Sequence, residues 1–259
     1  MLHLNSVSKR FGGLRVLEDL NLSTEGGLVH GLIGPNGAGK TTVFNLITGL
    51  LQPTSGSIAL GEKSLAGLMP YEICRLGVAR TFQNIRIFGQ LSLEQNVIVG
   101  MHRHMQYGAA DLLFRTKKYV LFEEAARERA NELLTQVGLD EKAELLAGTL
   151  SYGEQRRLEI ARALATDPAL LLLDEPAAGM NSPEKADLMR TVVGIRDKGL
   201  SVILIEHDMK FVMGLCDRVA VLNFGRIIAQ GTPSEVTTDP EVISAYLGTE
   251  DVMEAVPLA

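Results

Sequence analysis

Cysteine is scarce in this 259-residue chain: there are two, Cys74 and Cys216, far apart and without metal-ligand spacing. That count excludes a disulfide framework and fits a reduced cytosolic protein. No stretch approaches the ~18 consecutive apolar residues that a membrane span needs. A role at a membrane would therefore require another chain to hold the protein there. No leader pattern opens the sequence, because Met1-Leu-His-Leu-Asn5 runs straight into a strand-like alternation. A basic excess is also missing: the net charge is −6, which argues against a general nucleic-acid binder. Internal repeats and low-complexity segments are absent. What is present is an apolar fraction of 46%, enough for a substantial core in one large domain or in one domain with an inserted subdomain.

Leu2, Leu4 and Val7, then Leu20 and Leu22, form short alternating segments broken by Gly12-Gly13 and Gly26-Gly27, and they predict antiparallel strands. Ser57–Leu60 reads as a brief strand, Pro70–Arg75 as a short helix and Val78–Phe82 as a strand that Gln83 ends. Ser92-Leu-Glu-Gln95 matches a capping spacing poorly. From about 88 to 165 the pattern becomes helical. Ala126, Ala130, Leu133 or Leu134, and Val137 recur at three- to four-residue steps, in an amphipathic helix ending at Gly138. Strand signals resume with Leu170–Asp174, a continuous apolar run typical of a buried parallel strand. Ser182-Pro183 starts a further helix. Ser201–Ile205, Arg218–Leu222 and Arg226–Ala229 complete the strands, and the tail after Gly248 is unpatterned. The expectation is an α/β fold with a helical insertion.

The apolar run Leu28–Ile33 leads into Gly34-Pro35-Asn36-Gly37-Ala38-Gly39-Lys40-Thr41-Thr42, and helix-like Val43–Ile47 follows. Strand, glycine-rich turn and helix is the context in which G-x-x-x-x-G-K-[ST] denotes a phosphate-binding loop rather than a chance turn. Its backbone N–H groups would cradle anionic oxygens at a helix N-terminus. Lys40 would reach the β- and γ-phosphates, and the Thr41 hydroxyl would ligate Mg²⁺.

Asp174 and Glu175 follow a buried strand, where a parallel sheet presents its ligands. Asp174 is the candidate for the Mg²⁺ shell and Glu175 for the group that accepts a proton from, or orients, an attacking water. His207, after the Val202–Glu206 strand, is a candidate γ-phosphate sensor. Gln83 is a candidate reporter of the γ-phosphate or its metal, whereas His30 inside a strand is structural. Phe11 has two readings, packing on a small sheet or presenting a flat surface to adenine. Ser151-Tyr-Gly-Glu154 is a capping box opening an amphipathic helix. That helix N-terminus, with Ser151 and Gly153 on it, is also an anion site. Since the chain already has a phosphate loop, this second site is expected to face a nucleotide held by another subunit.

Together these residues resemble the ATP-binding subunits of ABC transporters, and the resemblance covers nearly the whole chain. Gly34–Thr42 matches the Walker A loop, Gln83 the Q-loop and Ser151–Gln155 the signature sequence. Leu170–Glu175 matches Walker B, Ala178–Asn181 the D-loop, His207 the switch histidine and Phe11 the adenine-stacking aromatic. A finer likeness runs through Arg80–Arg86, Leu150–Ile160 and Glu175–Asn181, which is similar to the LivG type of branched-chain amino acid importers. Lipopolysaccharide-export and urea-import ATPases are near relatives of that type. Tyr152 stands where the signature usually has glycine, and Asn181 where the D-loop usually has aspartate.

The resemblance implies a P-loop NTPase core (1–87 and 166–259) with an antiparallel β subdomain and an inserted helical subdomain (88–165), all one domain over 1–259. It implies ATP and Mg²⁺ as ligands, with Thr41, Gln83 and Asp174 on the metal. Retention of Glu175 implies a hydrolytically competent half-site. The partners it implies are a second ATP-binding subunit, either a paralogue or a copy of this chain, two membrane permeases and, indirectly, a periplasmic binding protein. The implied location is the cytoplasmic face of a bacterial inner membrane, without nucleic acid. The groove near Ile85–Phe88 would grip a cytoplasmic helix of the permease. A DNA-acting ABC ATPase would want a long coiled coil or a basic face, and the sequence has neither; a small-molecule P-loop kinase leaves Ser151–Gln155 and the helical insertion unexplained.

Overall fold

In the computed structural model, residues 1–104 and 108–247 are described; the tail after Gly248 lies outside them. The chain opens with an antiparallel pair, β1 (Leu2–Phe11) and β2 (Leu14–Ser23), turned at Gly12-Gly13. Next come β3 (Val29–Ile33), α1 (Lys40–Ile47), β4 (Ser55–Leu60) and β5 (Lys63–Ser64). After α2 (Pro70–Arg75) and β6 (Val78–Arg80) the described residues form the α-helices α3 (Leu93–Gly100), α4 (Ala109–Leu113), α5 (Lys117–Gln136) and α6 (Tyr152–Leu164). The chain then runs through β7 (Leu170–Asp174), α7 (Ser182–Asp197), β8 (Ser201–Ile205), α8 (Met209–Leu215), β9 (Arg218–Asn223) and β10 (Arg226–Gly231). Two short helices, α9 (Pro233–Thr237) and α10 (Pro240–Leu247), close it.

The strands form two sheets. One is antiparallel, in the order β2-β1-β4-β5; the other has the order β10-β9-β3-β8-β7-β6 and is parallel except for β10. Both faces of the parallel sheet are covered, so its central strands β7 and β8 read as nearly continuous apolar runs. Leu171 and Leu173 of β7 pack toward α5, α6 and α7, while Leu170 and Leu172 pack toward α1, β1 and β2. The α/β architecture with an antiparallel sheet and a helical insertion is thus the one expected.

Helix α5 buries Ala126, Ala130, Leu133 and Leu134, and it stops where Gly138 takes φ +67°, a conformation that favours glycine. Two local expectations need correction. Ser92 is a complete N-cap for α3: its Oγ accepts from Gln95 N at 3.1 Å, and Ser92 N donates to Gln95 Oε1 at 3.0 Å. Ser-x-x-Gln is the N-cap-to-third-position spacing, so the box closes here. Strand β6 ends at Arg80 rather than running to Phe82. The Phe82 and Gln83 carbonyls leave the ladder because the Arg156 guanidinium takes both, at 2.6 and 2.7 Å.

Candidate nucleotide-binding site

In a parallel sheet all carboxyl ends emerge along one edge. Here β8 lies between β3 and β7, with β6 beside β7, so the residues after these four strands share that edge. They are the glycine-rich loop after β3, Gln83 beyond β6, Asp174 and Glu175 at the end of β7, and Glu206 and His207 after β8.

The loop wraps into α1 without a side-chain cap: the N-cap is Gly39, at φ +109°. The first amides of a helix have no internal acceptor, and here they are left for a ligand. Close packing explains two of the glycines. A Cβ on Gly34 would stand 1.9 Å from Leu222 O, and one on Gly39 would stand 2.8 Å from Leu17 Cδ2. Gly225 N–H donates to Ala38 O at 3.0 Å, so the β9–β10 turn braces the loop from behind. Asn36, Gly37 and Thr41 are exposed, Pro35, Gly39 and Thr42 half-buried. Lys40 is buried, its Nζ donating to Gly34 O at 2.6 Å and Pro35 O at 3.0 Å. Burial pushes the Lys40 ammonium down from its usual range, against the pull of the Glu175 charge. The ammonium is thus held on loop carbonyls that a phosphate oxygen, bearing full charge, can replace.

Asp174 is buried, and Arg80 Nη2 donates to its Oδ2 at 2.7 Å. Glu175 sits at φ +44°, a region that costs a non-glycine residue ~1–3 kcal/mol and tends to mark functional sites. Its amide bonds to Ile205 O at 3.0 Å, and its Oε2 accepts from Gln83 Nε2 at 2.9 Å. His207 is 62% exposed and open to a ligand. Glu206 behind it is buried and accepts from Ala177 N at 2.7 Å and His207 N at 3.2 Å; burial pushes its carboxyl up.

The remaining candidates lie further out. Phe11 closes β1, 45% exposed, with the Lys9 ammonium 4.9 Å from its ring centroid. Its hairpin partner β2 is the strand whose Leu17 meets the loop at Gly39. Ser151 caps α6 as expected: its Oγ accepts from Glu154 N at 3.3 Å, and its own amide donates to Glu154 Oε2 at 3.0 Å. Gly153 N–H donates to Glu184 Oε1 at 3.2 Å, so Ser151 and Gly153 stand beside the start of α7. Asn181 caps α7, accepting from Glu184 N at 3.0 Å. This local job is one that asparagine and aspartate do equally well. His30 is buried, accepts from Glu25 N at 3.1 Å and is pushed toward its neutral form by burial, a structural arrangement.

Residues 17–178 match the family model described as ABC transporter, and residues 226–252 match the one described as branched-chain amino acid ATP-binding cassette transporter. The chain belongs to the ABC transporter family. It is 46% identical to the high-affinity branched-chain amino acid transport ATP-binding protein BraF of Pseudomonas aeruginosa, over 96% of this chain and 98% of BraF. It is 44% identical to LivG of Escherichia coli K12, which has the same description, at the same coverage. Identity to the lipopolysaccharide export ATP-binding protein LptB of that strain is 33%, again over 96% and 98%. Among solved structures, the ADP conformation of the ATP-binding cassette MJ1267 superposes with TM-score 0.84 at 31% identity, covering 96% of this chain and 99% of that one. A dimeric post-hydrolysis state of the cassette MJ0796, bound to ADP and Pi, gives 0.74 at 25% identity, covering 90% and 99%.

The cassette's donor set suits Mg²⁺. Thr41 offers an exposed hydroxyl at the loop end, and Arg80 holds only Oδ2 of Asp174, which leaves Oδ1 for an ion. Among the described residues no cluster of three His, Cys, Asp or Glu occurs.

Several supporting residues of this cassette gave no signal in the sequence. Arg80, Arg156 with Glu159, Glu184 and Glu206 are charged residues buried or bonded behind the site. Only the fact that a charge stands inside an apolar strand or on the apolar face of a helix could have marked them.

Proposed function

We propose that this chain is the ATP-hydrolysing subunit of a branched-chain amino acid importer. One observation carries the ATPase part: Lys40, Gln83, Asp174, Glu175 and His207 lie along one edge of the parallel sheet, with Gln83 hydrogen-bonded to Glu175. The solute class is supported by the likeness of residues 226–252 to the branched-chain amino acid family and by the higher identity to BraF than to LptB. The reading takes 1–87 and 166–259 as the nucleotide-binding core and 88–165 as the helical subdomain.

In this reading Phe11 stacks on adenine, and the loop amides and Lys40 bind the phosphates. Thr41 and Asp174, with Gln83, would hold Mg²⁺, which when bound would neutralise phosphate charge. Glu175 accepts the proton of the attacking water, and His207 contacts the γ-phosphate. Ser151 and Gly153 complete the nucleotide site of a second ATP-binding subunit, either a copy or a paralogue. ATP shifts the open–closed equilibrium by its differential affinity for the two states. Among the described residues no helix is long and apolar enough to cross a membrane. In this reading the subunit works from the cytoplasmic face of the inner membrane on two permeases, which receive solute from a periplasmic binding protein. Its docking surface is the groove of about 860 Å³ bordered by Leu50, Arg80, Phe82, Ile87 and Phe88.

The test is uptake of labelled leucine, isoleucine and valine in cells lacking this chain. Wild-type protein restores uptake, and a Lys40→Ala variant expressed at the same level does not. Uptake unaffected by the deletion rejects the solute assignment.

A further inference from the structure

Arg80 ends β6 with its side chain only 7% exposed, as is that of Asp174 beside it. Its guanidinium is held at both terminal nitrogens. Nη2 donates to Asp174 Oδ2 at 2.7 Å, and Nη1 donates to Asn45 Oδ1 at 2.8 Å and to Thr48 Oγ1 at 3.3 Å, on α1 and its C-cap. The guanidinium carbon lies 5.5 Å from the Phe44 ring centroid and 5.4 Å from that of Phe82. Its planar fork satisfies three acceptors in one orientation, which a lysine cannot do.

This arrangement is costly. Arg80 Nε is buried without a partner, and a buried ion pair is often no more stable than an apolar pair of the same volume. Stability alone gives little reason for it. Its position gives a better one. Arg80, Phe82 and Thr48 line the groove beside α2 and α3, while the far end of the same guanidinium holds the strand-end carboxylate.

We propose that Arg80 is a positioning residue for Asp174. It holds Oδ2 so that Oδ1 is the oxygen offered to the metal, and it transmits displacement of the groove wall to that carboxylate. The inference rests on the ATPase reading above and adds to it a mechanical link between groove and metal site. Such outer partners typically change metal affinity about 10–100-fold when removed.

The test is Mn²⁺ binding to the full chain with ATP, read from the electron paramagnetic resonance of free Mn²⁺, alongside metal-free ATP affinity and thermal melts. Arg80→Met weakens Mn²⁺ about tenfold or more, leaves metal-free ATP affinity within about twofold, and is partly rescued by Arg80→Lys. Phe82→Ala, a change in the groove wall, weakens Mn²⁺ by about threefold and adds nothing in the Arg80→Lys background, as expected for one shared path. If Arg80→Met does not fold, Asn45→Ala removes one anchor of the guanidinium and leaves the ion pair. It also weakens Mn²⁺ by about threefold. Unchanged Mn²⁺ affinity in folded Arg80→Met or Asn45→Ala overturns the positioning role, as does an equal loss of metal-free ATP binding. Full additivity of Phe82→Ala with Arg80→Lys overturns the link to the groove. Wild-type protein that binds ATP and Mn²⁺ upholds the underlying ATPase reading whatever the variants do; failure of the wild type to bind removes both.

Discussion

The Gln83 side-chain amide donates to Glu175 Oε2 at 2.9 Å, joining residues 92 apart in sequence. The groove and the proposed general base thus meet in one hydrogen bond, since Gln83 follows directly on groove-lining Phe82. In this arrangement Oε2 of Glu175 is oriented by Gln83, and the second carboxylate oxygen is not engaged by it. The backbone around Gln83 does not move alone, because Arg156 on α6 holds the Phe82 and Gln83 carbonyls. Closure of the helical part over a second subunit would carry Gln83 with it.

Replacing Glu175 by glutamine keeps shape and hydrogen bonding but removes the proton acceptor. Turnover should fall by ~10²–10⁴, or about 2.7–5.4 kcal/mol of barrier, while ATP binding persists. Light scattering after gel filtration should show a dimer in ATP, alone or once a paralogous subunit is added, and a monomer without nucleotide. Adding Ser151→Arg should abolish the dimer. An ATP-loaded Glu175→Gln protein that stays monomeric with every candidate partner refutes the shared-site arrangement.

Phe11 is exposed enough to stack on a base. Phe11→Ala should weaken ATP binding by ~1–2 kcal/mol, and GTP by a similar amount, because stacking is indifferent to base edges. Isothermal titration measures both. Unaltered affinity in a folded variant returns Phe11 to a packing role on the small sheet.

At the groove, Phe88 is 49% exposed under the Arg162 guanidinium, whereas Ile87 is half-buried against the main core. A charge at Ile87 would therefore destabilise the fold, and Phe88 is the cleaner probe. Phe88→Asp should lose permease association in pull-downs while ATP affinity stays near wild type. Full assembly and normal uptake would remove the groove as docking surface.

Glu206 gives a pH-dependent expectation. Burial raises its folded carboxyl above the ordinary 4.5, so the folded state binds its proton more tightly than the unfolded state. The resulting stability is fully present below 4.5 and is lost as pH rises through the folded value. Glu206→Gln abolishes that loss. In urea melts, the variant should gain on wild type as pH goes from about 4 to 8. A stability difference that does not change over this range contradicts the buried-charge account.

The order of elements and the residues that stand at the strand ends were legible in the sequence, because both are local. Leu170–Leu173 is apolar throughout since both faces of β7 are covered. Gly34–Thr42 needs its glycines for backbone shape, and Ser151 with Glu154 closes its own cap. Each of these properties leaves its mark in neighbouring residues. Three further features were decided only by tertiary structure: where β6 stops, what Arg80 holds and what turns Gln83 toward Glu175. Each depends on side chains that arrive from far along the chain, Arg156 onto Phe82 and Arg80 onto Asp174. Periodicity marks a residue as buried or exposed. It does not say which of several buried charges will share a hydrogen bond, because that follows from sheet order and helix packing.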